Sequence, residues 1–381
     1  MRLHSGRSLI AMAVVMGAAL AAAVLTGSGH QLAAAHAAGP DQPFSPQSLV
    51  WPTSTDGYLL GGADCGLTSC PAEMLATHDG GKTWTAGGRM HHGLAKSGEP
   101  GLTSLQFADR RFGWAYDPFL EATRNGGRTW TDVPLPGGSA KVLDLIASAD
   151  GTYVVTSRCA LGDGVCDDRP LDVWRAAPGK FTGWQRVDVP VPATGDVRFA
   201  ANGSTVYALV RYGPGPGRLF TLHRGQVRAS STITCADQEV AGIADVAANG
   251  DHRVFVLCRS FYGQGQSTKT VMVSGDGGQT FRYDAVPGRL GLADRLVVAP
   301  DGAVMMSNFT ASLVYSRAAL SKSWRIADNW LENGEHIHDL AFQSDTTAWL
   351  IEGDAAYNPD TRLWTTHDAG ATWQLATVPT P

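Results

Sequence analysis

Arg158, Arg211 and Arg259 each close an apolar run, "TYVVTSR", "TVYALVR" and "RVFVLCR", and each follows an aspartate, Asp144, Asp196 or Asp245, that opens the run before it. If each pair of runs folds back as a hairpin, the acid and the arginine meet across it, giving three repeated pairs. Guanidinium groups in such a set can grip a carboxylate, sulfate or phosphate, while spare aspartates accept sugar hydroxyls. The same six residues also suit cross-strand ion pairs that serve only the fold. An acid beside every arginine weakens the anion-binding reading, so the six are candidate ligand-binding residues rather than catalytic ones.

Histidines form a second set. His336 and His338 alternate, so a strand would aim both to one side, and His91 and His92 are adjacent; together they could hold a metal. No cysteine or acid completes that set in the sequence, and no metal or cofactor is expected. Phe119, Tyr212, Phe261, Tyr262, Phe309 and Tyr357 are aromatics available for stacking on a sugar or a peptide. The chain has no Gly-rich phosphate loop, no HExxH and no GxSxG, so nothing supports nucleotide binding, zinc peptidase or serine hydrolase chemistry. The formal charge of −5 on 381 residues is small and mixed, which argues against a nucleic-acid surface.

The elements that carry these residues are announced by a repeated phrase. "ATHDGGKTWTA" (76–86), "ATRNGGRTWTD" (122–132), "VSGDGGQTFRY" (273–283) and "TTHDAGATWQL" (365–375) share one pattern. Asp79, Asn125, Asp276 and Asp368 can fold onto nearby backbone amides in a tight turn, and Gly81, Gly127, Gly278 and Gly370 supply the positive φ such turns need. Trp84, Trp130, Phe281 and Trp373 then lead into the next strand and bury an aromatic face. Weaker echoes at 175–185, 222–226 and 316–326 bring the count to seven. Units of about 49 residues, each opening with strand, polar turn and strand, predict an all-β, seven-bladed β-propeller of four-stranded antiparallel blades over residues 38–381. The phrase joins the third and fourth strands of a blade.

The phrase resembles the Asp-box, or BNR repeat, of sialidase-like propellers. The unit from Phe112 to Trp130 is similar in style to repeats of photosystem II assembly-factor-like propellers and the sortilin ectodomain. The resemblance implies the fold for the whole mature chain; it leaves function open, because the motif occurs in enzymes and in binding proteins. A sialidase-like enzyme would need an arginine trio, a Tyr–Glu pair and an Asp acid; the Phe/Tyr-Arg-Ile-Pro motif that carries the family's first arginine is missing here, and no Tyr–Glu pair is assignable.

With strands labelled A to D outward from the channel, the A–B and C–D turns share one face and the B–C and D–A loops the other. That second face receives the six cysteines, expected to pair locally as Cys65 with Cys70, Cys159 with Cys166 and Cys235 with Cys258. Residues 1–37 read as a signal peptide: Arg2 and Arg7, the apolar run Leu9 to Leu25, then Ala35-His36-Ala37. An uncleaved membrane anchor is the competing reading. The expectation is a secreted or extracytoplasmic, monomeric, non-catalytic propeller that binds a protein or glycan through its braced loop face, without nucleic acid. A divergent exo-acting glycosidase and an assembly factor for a membrane complex are the alternatives.

Overall fold

Among the described residues, twenty-eight short strands assemble into seven separate four-stranded sheets, each a meander of consecutive strands. The computed structural model describes residues 44–378 apart from 64, 66–69, 97–98, 160, 162–170, 193–194, 212–214, 236–240, 251, 262–266, 287, 289–290, 309–312, 320, 322, 328–335 and 354–360. The expected signal peptide therefore lies outside the described residues, as do Cys166, Tyr212, Tyr262, Phe309, Tyr357 and the side chain of Phe261. Among the described residues no helix is long and apolar enough to cross a membrane.

Strands A, innermost, are Phe44–Val50, Ser104–Phe107, Lys141–Ser148, Asp196–Asn202, Ala241–Asn249, Ala293–Val298 and Ile337–Phe342 for blades 1 to 7. Strands B carry the purest apolar runs, and Gly151–Ser157 is buried at every position. Both faces of a middle strand are covered by neighbouring blades, so the polar alternation of a half-wet sheet is lost. Outermost strands such as Thr85–Ala86 and Thr131–Asp132 are two exposed residues long, which leaves little open edge for unwanted pairing. The buried apolar residues fall into seven clusters, and each spans a seam between two blades. Blade-on-blade packing is thus the core.

Among the described residues no strand crosses a seam. Blade 7 meets blade 1 through side chains: Trp51 stacks on Trp349 with centroids 5.4 Å apart, Trp84 meets both edge-on, and Gln343 Nε2 donates to Ser54 O and Gly80 O.

The repeated phrase forms the C–D turn of blades 1, 2, 5 and 7. In blade 1, Thr77 Oγ1 donates to Asp79 Oδ1 and accepts from Gly81 N, while the Asp79 carboxylate accepts from Lys82 N, Thr83 N and Thr83 Oγ1. Asp276 and Asp368 repeat this with Thr280 and Thr372. In blade 2 Asn125 takes the same place, but its Nδ2 donates to Thr129 Oγ1, reversing one bond. The second glycine sits at positive φ, +81° at Gly127. A Cβ there would lie 2.0 Å from Met74 Cε of the preceding blade, so the position serves turn and seam together. Trp130 is buried, whereas Trp84, Phe281 and Trp373 are half-buried. The "LHRGQ" echo is a two-residue hairpin with Arg224 and Gly225 both at positive φ.

Five of the seven A strands carry a β-bulge near their start. The register slips between Pro46 and Ser48, Val142 and Asp144, Ile243 and Asp245, Ala293 and Arg295, and Ile337 and Asp339. One extra residue re-aims the side chain that follows it.

Candidate functional site: an alternating charged ring in the central channel

The residue after each bulge reaches toward the next blade. Asp144 Oδ2 accepts the Phe199 N–H of blade 4 at 3.1 Å, Asp245 Oδ2 the Leu296 N–H of blade 6 at 2.8 Å, and Asp339 Oδ2 the Leu49 N–H of blade 1 at 2.9 Å. Ser48 Oγ accepts the Leu105 N–H of blade 2 and itself donates to Asp339. The acceptors' counterparts are therefore the residues just before Phe199, Leu296, Leu49 and Leu105. Around blades 1 to 7 the ring reads Ser48, Ser104, Asp144, Arg198, Asp245, Arg295, Asp339.

From blade 3 to blade 7 the charges alternate. Arg295 Nη2 meets Asp339 Oδ1 at 3.0 Å, and Arg198 lies between Asp144 and Asp245, whose fields raise its pKa against the partial desolvation of its half-exposed side chain. Burial lifts the Asp144 carboxyl to about 6, although Arg198 and the N–H groups of Leu145 and Phe199 pull it back. Burial raises Asp245 in the same way. Tyr116 of blade 2 closes the gap, its hydroxyl donating to Leu145 O at 3.4 Å, and burial pushes that hydroxyl well above the usual phenol range.

Sequence reasoning expected Asp196 in the blade 4 position. The ring residue is Arg198, two places on: counted back from the A–B turn, Arg198 opposite Leu209 holds the place of Asp144 opposite Val155 and Asp245 opposite Leu257, and Asp196 opposite Arg211 lies farther out. The expected Asp196–Arg211 ion pair does form. The other two pairings do not. Asp144 stands opposite Val155 and Asp245 opposite Leu257, because the register running back from each A–B turn places these acids nearer the turn than the arginines. Arg158 lies past the end of its strand and pairs instead with Asp172 at 3.2 Å, a buried acid that also holds Arg186. Arg259 stands opposite Gly242 and donates to Ala293 O of the next blade at 2.7 Å. Arg211 likewise donates to Ile243 O and Ala244 O. Two of the three proposed arginines are thus inter-blade ties to carbonyls at bulged strands.

Arg198 has no such duty. Its side chain is 46% exposed, its nearest carboxylate oxygen is Asp196 Oδ2 at 3.9 Å, and it makes no hydrogen bond among the described residues. The signal in the sequence was the period-2 pattern of "DVRF", in which Arg198 faces the same side as Asp196.

Away from the ring, the A–B turns of blades 1, 4, 5, 6 and 7 line a cavity of about 760 Å³ at the opposite mouth. His91 and His92 find their described partners in blade 2 rather than beside His336 and His338: both Nδ1 atoms lie 3.1 Å from the Glu121 carboxylate. The His92 ring stacks on Phe119 at 3.8 Å, which occupies one of the aromatics proposed for ligand stacking. Cys65–Cys70 and Cys235–Cys258 are disulfides as expected. Cys159 is disulfide-bonded, and its expected partner Cys166 lies outside the described residues.

No protein-family model matches the sequence, and no curated protein matches it. Among solved structures it is similar to YCF48 bound to D1 peptide, with a TM-score of 0.56 at 15% identity over 86% of this chain and 94% of that one. It is also similar to a catalytically inactive virginiamycin B lyase from Staphylococcus aureus with quinupristin, TM-score 0.58 at 7% identity over 86% and 96%. A third likeness is a puromycin-hydrolyzing peptidase of Mycobacterium tuberculosis, TM-score 0.60 at 10% identity, where this chain covers 53% of the other. The chain is a seven-bladed β-propeller. At these identities the likeness shows the fold alone.

Proposed function

We propose that this is an exported, non-catalytic propeller that captures a protein segment at the loop-side mouth of its channel, with Arg198 as the anchoring group. The observation that carries the reading is the half-exposed Arg198 guanidinium with no hydrogen-bond partner among the described residues, set in a ring whose other charges are engaged between blades. Its planar donors fit a carboxylate or successive backbone carbonyls. The carboxylates beside it favour a ligand that also brings N–H donors, as a polypeptide does, over a simple anion. That a similar propeller, YCF48, has been solved with a bound peptide supports protein binding by this architecture. The two described disulfides support an extracytoplasmic setting.

A glycosidase reading would make Asp144, with its carboxyl raised to about 6, the acid. Both Asp144 oxygens already accept backbone N–H groups, from Leu145 and Phe199, which disfavours proton donation to a substrate. Peptides selected from a displayed random library on the purified protein test the reading. Arg198→Ala should weaken the selected peptides about 10- to 100-fold, the loss of one charged hydrogen-bond anchor. Arg228→Ala, on the exposed outer strand of the same blade, should leave them unchanged. Equal affinity in both variants sinks the proposal, as does turnover of a fluorogenic sialoside that Asp144→Asn abolishes.

A further inference from the structure

Glu121 lies in strand C of blade 2 (Leu120–Thr123) and is fully buried. An isolated carboxylate there would be costly unless paired. Its oxygens accept the N–H groups of His91 and His92 at 2.8 to 3.0 Å, and each faces one imidazole Nδ1 at 3.1 Å. Across the sheet, Glu121 is in register with Asp132 on strand D (Thr131–Asp132). Two carboxylates directly opposite repel one another, yet Asp132 Oδ1 turns toward the same histidines, 3.4 Å from His92 Nδ1 and 4.0 Å from His91 Nδ1. Nothing in the strand pairing requires both acids here. A cation between them removes the repulsion.

The dimensions suit a metal ion. His91, Glu121 and Asp132 each offer one ligand atom, all within 4.8 Å of one another. Metal–ligand bonds of about 2.0–2.1 Å in tetrahedral geometry place neighbouring ligand atoms about 3.3 Å apart, and His91 Nδ1 lies 3.1 Å from Glu121 Oε2 and 4.0 Å from Asp132 Oδ1. The loop bearing the histidines is fastened on both sides, by Met90 N to Ala72 O and Leu94 N to Cys70 O, with both side chains buried. The His92 stack on Phe119 fixes the second ring beside the set.

We propose that His91, Glu121 and Asp132, with His92 adjoining, bind a divalent transition-metal ion of the zinc type. Imidazole and carboxylate together suit zinc, cobalt, nickel or manganese more than calcium. The ion ties the long D–A loop of blade 1 to the third and fourth strands of blade 2, and the exposed flanks of His91 and Asp132 leave a coordination position open to solvent. This site is separate from the channel ring and does not depend on its function.

The test uses tag-free, chelator-stripped protein titrated with zinc chloride by calorimetry, with calcium chloride in parallel. The expected result is one zinc per chain at micromolar or tighter affinity, a raised melting temperature and no calcium binding. His91→Ala and Asp132→Asn, both at exposed side chains and expected to fold, should each weaken zinc at least tenfold. Cobalt in place of zinc should give a four- or five-coordinate visible spectrum that both variants lose. Absence of zinc binding, or binding untouched in the His91→Ala/Asp132→Asn double variant, overturns the proposal and leaves a proton-bridged histidine–carboxylate cluster.

Discussion

The channel ring and the acidic C–D turns use one device, an aspartate accepting backbone N–H groups, with opposite electrostatic results. In the turns the bonds are local and the carboxylate is wet: hydrogen bonds from the Thr83 hydroxyl and amide hold Asp79 down to about 2. In the ring the bonds run between blades and the carboxylate is enclosed, so burial lifts Asp144 to about 6 despite the bonds it accepts. An exposed acid keeps its charge easily and shapes one corner. A buried acid joins two sheets and is strained by its own charge unless an arginine stands beside it.

Removing a ring acid should therefore cost most. Asp339→Ala deprives Ser48 Oγ, Leu49 N and Arg295 of one partner at the seam where blade 7 meets blade 1. A loss of about 3 kcal/mol is expected, the scale for unpairing buried polar and charged groups. Urea unfolding reads it, and a loss no larger than that of Asp79→Ala would erase the distinction between the two regions. Gly127→Ala comes next, at about 2 kcal/mol, from an unfavourable φ and the contact with Met74. Met74→Ala in the same chain should recover part of the clash but none of the backbone strain.

Acidification separates the regions most finely. Asp144 has its folded pKa above the ordinary 3.8, so its ionisation costs stability, and that loss is regained as the pH falls from about 6 to 4. Asp79 lies below 3.8, so the stability it contributes is complete above about pH 4 and disappears as the pH falls through 2. Carboxyl-carbon NMR titration should resolve two groups on either side of pH 4. Asp144 and Asp79 titrating together would show that enclosure in the channel does not govern the ring. Asn125 makes the blade 2 turn indifferent to pH throughout.

The blade count and every C–D turn were legible because tight turns demand specific residues at fixed spacing, as at Asp276, Gly278 and Thr280. Asp144 and Asp245 were legible as well, since each opens an apolar A strand. Blade 4 misled because "GIADV" and "GDVRF" look alike, yet distance from the A–B turn sets the ring position, and by that measure Arg198, not Asp196, matches Asp245. Arg158 was misplaced because Asp172 lies on strand C, where pairing within one hairpin does not look. The histidine cluster escaped for a similar reason, its acids standing about 30 to 40 residues downstream in another blade.

Self-contained meanders have a consequence for how such a molecule can change size. Losing or gaining a whole meander would sever no ladder of main-chain bonds, so the sheets themselves do not care how many there are. The inner circle does care. Excising the fourth unit would set Asp144 against Asp245, and excising the fifth would set Arg198 against Arg295; over that arc, the sign pattern acts as a tally that permits only paired insertions or deletions.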